Sequence, residues 1–290
     1  MAITVAIESV FRPRRQSRWE AMGALPKSDL MALGGLVLIV MIAIIGPLLT
    51  VDPTLAVANA FDPPSVHHLL GVDEVGRDVF SRVLNGLRAS LLSAVAVILS
   101  GVLIGGLIGL VAGSIGGLPD AILMRITDAF LAMPGPILAL AVVAALGPSL
   151  PHTLIAVAVV WWPWYARLVR GEVRAWRSRP HIDAARLAGV SRVRLMTRHL
   201  LPGALPPVIV TASLDIQNLV LTLAGLSFLG LGAPSPAPEL GAMAARGSEY
   251  LFGHPWIPIA PGVAVLLLAT TANLAGDAIR DLFGRGHRAR

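Results

Sequence analysis

Polar and apolar positions in this chain fall into blocks, and the charge-free blocks are long. Residues 30–51 run 22 positions without an ionised side chain, residues 89–119 run 31, and residues 129–166 run 38. Apolar runs of about 18 or more residues predict membrane-spanning helices. The third block is too long for one helix, because about 20 residues cross a hydrocarbon core of about 30 Å at about 1.5 Å per residue. The segment GPSLPH (147–152) interrupts it with glycine and proline, so the pattern predicts two crossings there. Residues 199–238 carry one charge, Asp215, and hold a fifth predicted crossing near 207–230. Residues 250–276 form the sixth. None of these blocks shows the strict alternation of a barrel strand. The expectation is an all-α polytopic membrane protein with six transmembrane helices. Its parts are an N-terminal segment at 1–29, a first crossing at 30–51, a polar segment at 52–88, a five-helix core at 89–276 and a tail at 277–290. Within the core, a polar loop spans about 167–206.

Composition agrees with this layout: 55% of residues are hydrophobic, 14% are charged, and mean hydropathy is +0.75. The net charge of +6 is read as topology, with no nucleic-acid partner implied. With six crossings, the two termini and the 2–3 and 4–5 loops share one side and hold 19 of the 23 Lys and Arg residues. The excess predicts that this side, with both termini, is cytoplasmic in a multi-pass membrane protein. Residues 52–88 then lie on the outer side. The N-terminal stretch is basic and too interrupted for a signal peptide, so the first helix is expected to stay as an anchor.

The crossings carry a few informative side chains. Gly101, Gly105, Gly109 and Gly113 form three overlapping GxxxG steps, a flat stripe for close approach of another helix, inside this chain or from a partner. Pro134 and Pro136 open the third crossing and predict a kink. Asp215, Gln217 and Asn218 place polar groups inside the fifth crossing, where they either line a pathway or make interhelical hydrogen bonds.

In the 4–5 loop, RPHIDAARLAG reads as a short helix beginning after Pro180. Ile182, Ala185 and Gly189 recur along one nearly flat face, flanked by Ala184 and Ala188, and a flat small-residue face lets another protein approach closely. Gly189 permits a turn. Ser191 is placed to cap a second helix, RVRLMTRHL, ended by Pro202. Two short helices with a sharp elbow make either a bracket for another protein or a hairpin resting on lipid headgroups.

Several chemistries lack their residues. A phosphate-binding loop of the GxxxxGK[ST] type needs a lysine, and the single lysine is Lys27 in ALPKSDL. The seven histidines make no HxxxH pair and cysteine is absent, so a zinc-type metal site is not expected. There is no GxSxG nucleophile elbow. No enzymatic activity and no cofactor are expected of the chain itself. A secondary transporter or channel, with Asp215 as an ion site, is the rival from another class.

The stretch 181–202 resembles the EAA loop of binding-protein-dependent ABC importer permeases. Asp183, Ala184 and Ala185 stand for Glu-Ala-Ala, followed by Gly189 and by Leu201-Pro202. Asp replaces the family glutamate, and His199 occupies the usual isoleucine position. HHLLGVDEVGRDVFSRVLNGLRASL (67–91), SFLGLGAPSPAPELGAM (227–243) and ANLAGDAIRDLFGR (272–285) are similar to segments of C-type permeases of the dipeptide, oligopeptide and nickel subfamily. Leu240 stands where that subfamily has tryptophan, and Phe283-Gly284-Arg285 where it has Asp-Pro-Arg. The resemblance implies a type I ABC importer permease fold in a bacterial inner membrane. It also implies a sister permease sharing the pathway, two ATPase subunits carrying ATP and Mg, and an extracytoplasmic solute-binding protein. It makes Asp183, Ala184, Ala185, Gly189 and Pro202 the ATPase-coupling residues. The implied cargo is a di- or oligopeptide, with nickel as the alternative.

Overall fold

The computed structural model describes residues 26–288. The basic stretch within residues 1–25 and the final Ala289-Arg290 lie outside the described residues. The described chain is helical, with no strand beyond an isolated bridge between Val72 and Asp78. Its α-helices are α1 (Lys27–Ile45), α2 (Val79–Ile115), α3 (Gly117–Leu131), α4 (Gly135–Leu146), α5 (Leu150–Arg177), α6 (Pro180–Leu187), α7 (Arg192–Leu195), α8 (Leu201–Phe228), α9 (Leu240–Gly247) and α10 (Trp256–Arg288).

Four of these are long and apolar enough to cross a membrane: Lys27–Leu48, Val79–Ile115, Arg192–Phe228 and Trp256–Phe283. The expected count of six is not reproduced by this measure. The third crossing is broken, because α3 and α4 meet at 86°. Pro134 sits at the break with extended backbone (φ −59°, ψ 117°), and Pro136 follows in the first turn of α4. Neither proline has an N–H for a continuing helix. α4 has 12 residues, about 18 Å of helix, too short to cross alone. Counted as one span, the bent pair brings the total to five. The expected fourth crossing falls in α5, whose 28 residues reach about 42 Å. His152, the indoles of Trp161, Trp162 and Trp164, and arginines from Arg167 onward dilute its apolar character.

The glycine stripe is consumed within the chain. Gly101, Gly105, Gly109 and Gly113 are all buried, and they face α5. A Cβ at Gly105 or Gly109 would run into the backbone carbonyl of Trp162 or Ala166, and one at Gly113 would lie 2.9 Å from Val173 Cβ. α2 and α5 thus touch backbone to backbone. Gly109→Leu is expected to destabilise the fold by about 1–3 kcal/mol or more, seen as a lower unfolding midpoint in detergent. Gly106, whose added Cβ would meet its nearest neighbour only at 4.0 Å, is the matched control and should accept alanine with little change.

The polar segment 52–78 is an ordered cap on the Val79 end of the bundle. Asp78 N-caps α2 through Ser81 N–H at 2.8 Å, so the helix starts well before the charge-free run at residue 89. Asp73 lies buried between two arginines, with Arg77 Nε at 2.7 Å and Arg82 Nε at 3.5 Å. Arg82 also donates to the carbonyls of Pro53 at 2.7 Å and Pro236 at 3.1 Å, tying three distant segments to one side chain. Trp256 at the start of α10 donates to Val72 O at 3.2 Å. Leu240, at the position where the resembled subfamily has tryptophan, is fully buried against Gly86.

Candidate functional site

At the opposite end, beside Ile115, α5 runs into the short helices α6 and α7. α6 starts at Pro180, whose missing N–H suits the first turn. It ends as predicted at Gly189, which takes φ +77°. Gly189 N–H donates to Arg186 O at 3.0 Å and Val190 N–H to Ala185 O at 3.1 Å. These bonds close the last carbonyls of the helix, and a side chain at this φ would be strained. Ser191 occupies the cap position of α7 but makes no side-chain cap bond.

Pro202 does not end the second helix. α7 passes through a π-turn, Met196–Leu200, and continues as α8. Pro202 would clash with the carbonyl of Arg198 in a regular helix, and the widened turn lies over that position. Arg192–Phe228 is therefore one long apolar span, and the elbow is rigidly joined to the membrane part.

The faces of α6 differ from the expected arrangement. Ile182 is fully buried and Ala185 is half-buried, packing with Val173, Leu195, Leu200 and Ala204. The side holding Ile182 and Ala185 is the anchor. The outward side presents Asp183, Ala184, Leu187 and Ala188, and Leu187 is 90% exposed. Asp183 accepts from Arg186 Nη1 at 3.2 Å, one turn along the same exposed helix. Trp176 braces the bracket from below. Its indole lies flat against Gly203, so that a Cβ there would overlap the ring. Arg179 stacks over it at 3.7 Å, and His181 meets its edge at 5.9 Å. Sequence reasoning passed over Leu187 and Trp176, because neither exposure nor a contact across 27 positions is written in local spacing.

Asp215 lies on α8 and is buried. Tyr165 donates to its Oδ2 at 2.8 Å and Trp161 Nε1 at 3.3 Å, both from α5. Its partners are interhelical. Gln217 is half-buried and Asn218 exposed, and neither side chain joins Asp215. Asp215→Leu would leave a buried hydroxyl and an indole N–H without their acceptor, a loss of about 1–3 kcal/mol. Asp215→Asn keeps an acceptor. We expect Leu to lower the unfolding midpoint clearly more than Asn, and Tyr165→Phe to recover part of the Leu defect. Equal midpoints for Leu and Asn would remove this role from Asp215.

Arg170 and Arg174 on α5 meet buried Asp120 of α3, at 2.5 Å and 3.6 Å, which fixes the α3 end of the broken span.

The arrangement holds an exposed bracket between α5 and α8. A model of the family described as binding-protein-dependent transport system inner membrane component matches residues 105–289. The chain belongs to this family. The matched region contains the whole bracket, the last 11 of the 37 residues of α2, and every later helix. Among curated relatives, the probable D,D-dipeptide transport system permease protein DdpC of Escherichia coli strain K12 is 43% identical, with 94% of each chain covered. The nickel transport system permease protein NikC of the same strain is 41% identical, over 75% of this chain and 79% of its own. Among solved structures, the MetNI methionine ABC transporter in an inward-facing form matches with a TM-score of 0.54 at 22% identity, over 69% of this chain and 95% of that chain. This likeness supports the ABC permease fold. The chain is thus a multi-pass transport permease subunit of a binding-protein-dependent system.

Proposed function

We propose that this chain is one of two permease subunits of an ATP-driven importer for di- or oligopeptides. It forms half of the pathway with a sister permease and couples to separate ATPase subunits. The observation that carries this reading is the exposed bracket from Pro180 to Leu200 in a chain of this family. Its outer face is small except for Leu187, which suits insertion into a groove on an ATPase. Gly189 fixes its elbow, and Pro202 with the π-turn joins it directly to α8. Movement of the bracket would move α8 as a rigid body, the kind of coupling that rocking of domains requires. ATP and Mg would be held by the ATPases, and cargo would come from an external binding protein. We read α5 as a sixth crossing despite its tryptophans, with both termini and the bracket on the cytoplasmic side.

Two observations support peptide over nickel. The D,D-dipeptide relative aligns over 94% of the chain, against 75% for the nickel relative. Three histidines of the opposite end have structural contacts, and no group of metal-holding side chains occurs among the described residues. His68 Nδ1 pairs with Asp78 at 3.0 Å, His152 Nδ1 lies 2.8 Å from Gly147 O, and His254 stacks on Phe61 at 4.3 Å.

Titration of the cognate external binding protein with dipeptides, longer peptides and Ni²⁺ tests the cargo. Peptide binding with no nickel response is expected, and the reverse result would reassign it. Single cysteines at Val66 and Leu187, 88% and 90% exposed, test the orientation. Impermeant reagent added outside intact cells should label the first and not the second.

A further inference from the structure

Beneath the bracket lies a crease unlike the rest of the surface. A cavity of about 410 Å³ opens there, lined by Ile115 at the end of α2, Arg177 at the end of α5, Arg186 on α6, and Arg192, Leu195 and Met196 on the following turns. A neighbouring hollow of about 440 Å³ shares Arg177 and Arg186 and adds Arg174 and Asp183. The cavity volume falls within the range of about 300–1,000 Å³ common for small-ligand sites.

The charges in the crease are not balanced. Asp183 is taken by Arg186 at 3.2 Å, and Asp120 by Arg170 and Arg174. Arg177 is half-buried and close enough to Asp120 to act on its charge, but among the described residues its only hydrogen bond is a long one, Nη1 to Ile115 O at 3.5 Å. Arg192 has no carboxylate partner among the described residues. Two guanidinium groups, each with five N–H donors, therefore face one cavity nearly unengaged. Planar guanidinium forks match phosphate oxygens two at a time.

The other wall is apolar. Ile115 is 45% exposed, and Leu195 and Met196 continue into α8. The cavity sits where two apolar spans, Val79–Ile115 and Arg192–Phe228, meet their ends. In the membrane placement proposed above, the charge-free run through α2 reaches residue 119, which sets Ile115 near the lipid headgroups, and basic pockets between transmembrane helices suit anionic headgroups there.

We propose that this crease binds the phosphate of an anionic membrane phospholipid, with Arg177 and Arg192 as the phosphate ligands and Ile115, Leu195 and Met196 against the first carbons of the acyl chain. A free phosphate shares the anion chemistry but uses none of the apolar wall, so the lipid is the better occupant. A lipid seated there would brace α6 against α2 and α5 from below, leaving the outward face of α6 free. The proposal rests on the membrane placement of the two spans and does not depend on the cargo.

The test uses the full chain purified in a zwitterionic detergent, with phosphatidylglycerol and phosphatidylcholine as probes. Retention is followed by native mass spectrometry and unfolding by tryptophan fluorescence. Wild type is expected to retain phosphatidylglycerol about tenfold more tightly than phosphatidylcholine, a difference of about 1.4 kcal/mol, and to unfold at a higher temperature with it. Arg177→Gln with Arg192→Gln should lose that preference, and Lys at both positions should keep part of it. Excess inorganic phosphate should leave the retained lipid in place. Arg192→Gln alone, at an exposed site, keeps the test valid if the double variant fails to fold. Undiminished phosphatidylglycerol preference in Arg192→Gln would overturn the proposal, and displacement of the lipid by inorganic phosphate would overturn the lipid as its occupant.

Discussion

Tryptophan at Ala184 or Ala188 is expected to abolish ATP-driven uptake while the chain still inserts and folds. Both positions are on the exposed side of α6, so an indole there meets nothing inside the chain. It would meet whatever closes over α6. Forcing a large side chain into a closely fitted interface typically destabilises it by about 1–3 kcal/mol, roughly a 5- to 150-fold weaker association. Leu187→Ser should act in the same direction by removing the one large side chain of that face. Ala185→Trp is a poor probe, because Ala185 packs against the buried cluster beside Ile182 and would damage the fold itself. Gly189→Val strains the elbow at φ +77° and should change the angle of α6. Co-purification of the ATPases and uptake into vesicles are the readouts. Normal co-purification and uptake in both tryptophan variants would leave the outward face of α6 without a partner.

The second large effect is expected at Arg82, far from the bracket. Its side chain is 2% exposed and joins Asp73 with the carbonyls of Pro53 and Pro236. Removing one partner of a buried ion pair costs about 3–5 kcal/mol, which is a large share of the stability of most folds. Arg82→Ala should therefore sharply reduce folded protein in the membrane and expose the cap to protease. Arg82→Lys should fall between, since one ammonium cannot reach three acceptors in the same geometry. Arg88→Ala, six residues along the same helix and exposed, should be near wild type. Equal yields of the Arg82 and Arg88 alanine variants would show that the cap is held by other contacts.

The helical blocks were legible because charge-free length is a one-dimensional signal. So was the elbow, where Gly189 follows a helix begun by Pro180. The count of crossings was less legible, for two physical reasons. Pro134 and Pro136 turned an expected kink into an 86° break, and α5 mixes indoles and arginines into a long helix. Periodicity placed Ile182 and Ala185 on one flat face, which reads as the side another protein would approach. The structure turns it inward, and the exposed face belongs to Ala184, Leu187 and Ala188. Asp215 was visible as an isolated charge, but its partners Tyr165 and Trp161 lie 50 and 54 positions away, a pairing that only the packing of α5 on α8 creates. The same holds for Trp176 on Gly203 and for Arg82 on Pro236.

The central claim is that a bracket on this permease converts ATPase motion into peptide import. The direct measurement is uptake of a labelled dipeptide into vesicles holding the chain with its sister permease, its ATPases and the loaded binding protein. Accumulation should require ATP on the bracket side, be unaffected by dissipating ion gradients, and disappear in Ala184→Trp. Accumulation driven by a proton or sodium gradient in vesicles lacking the ATPases would contradict it.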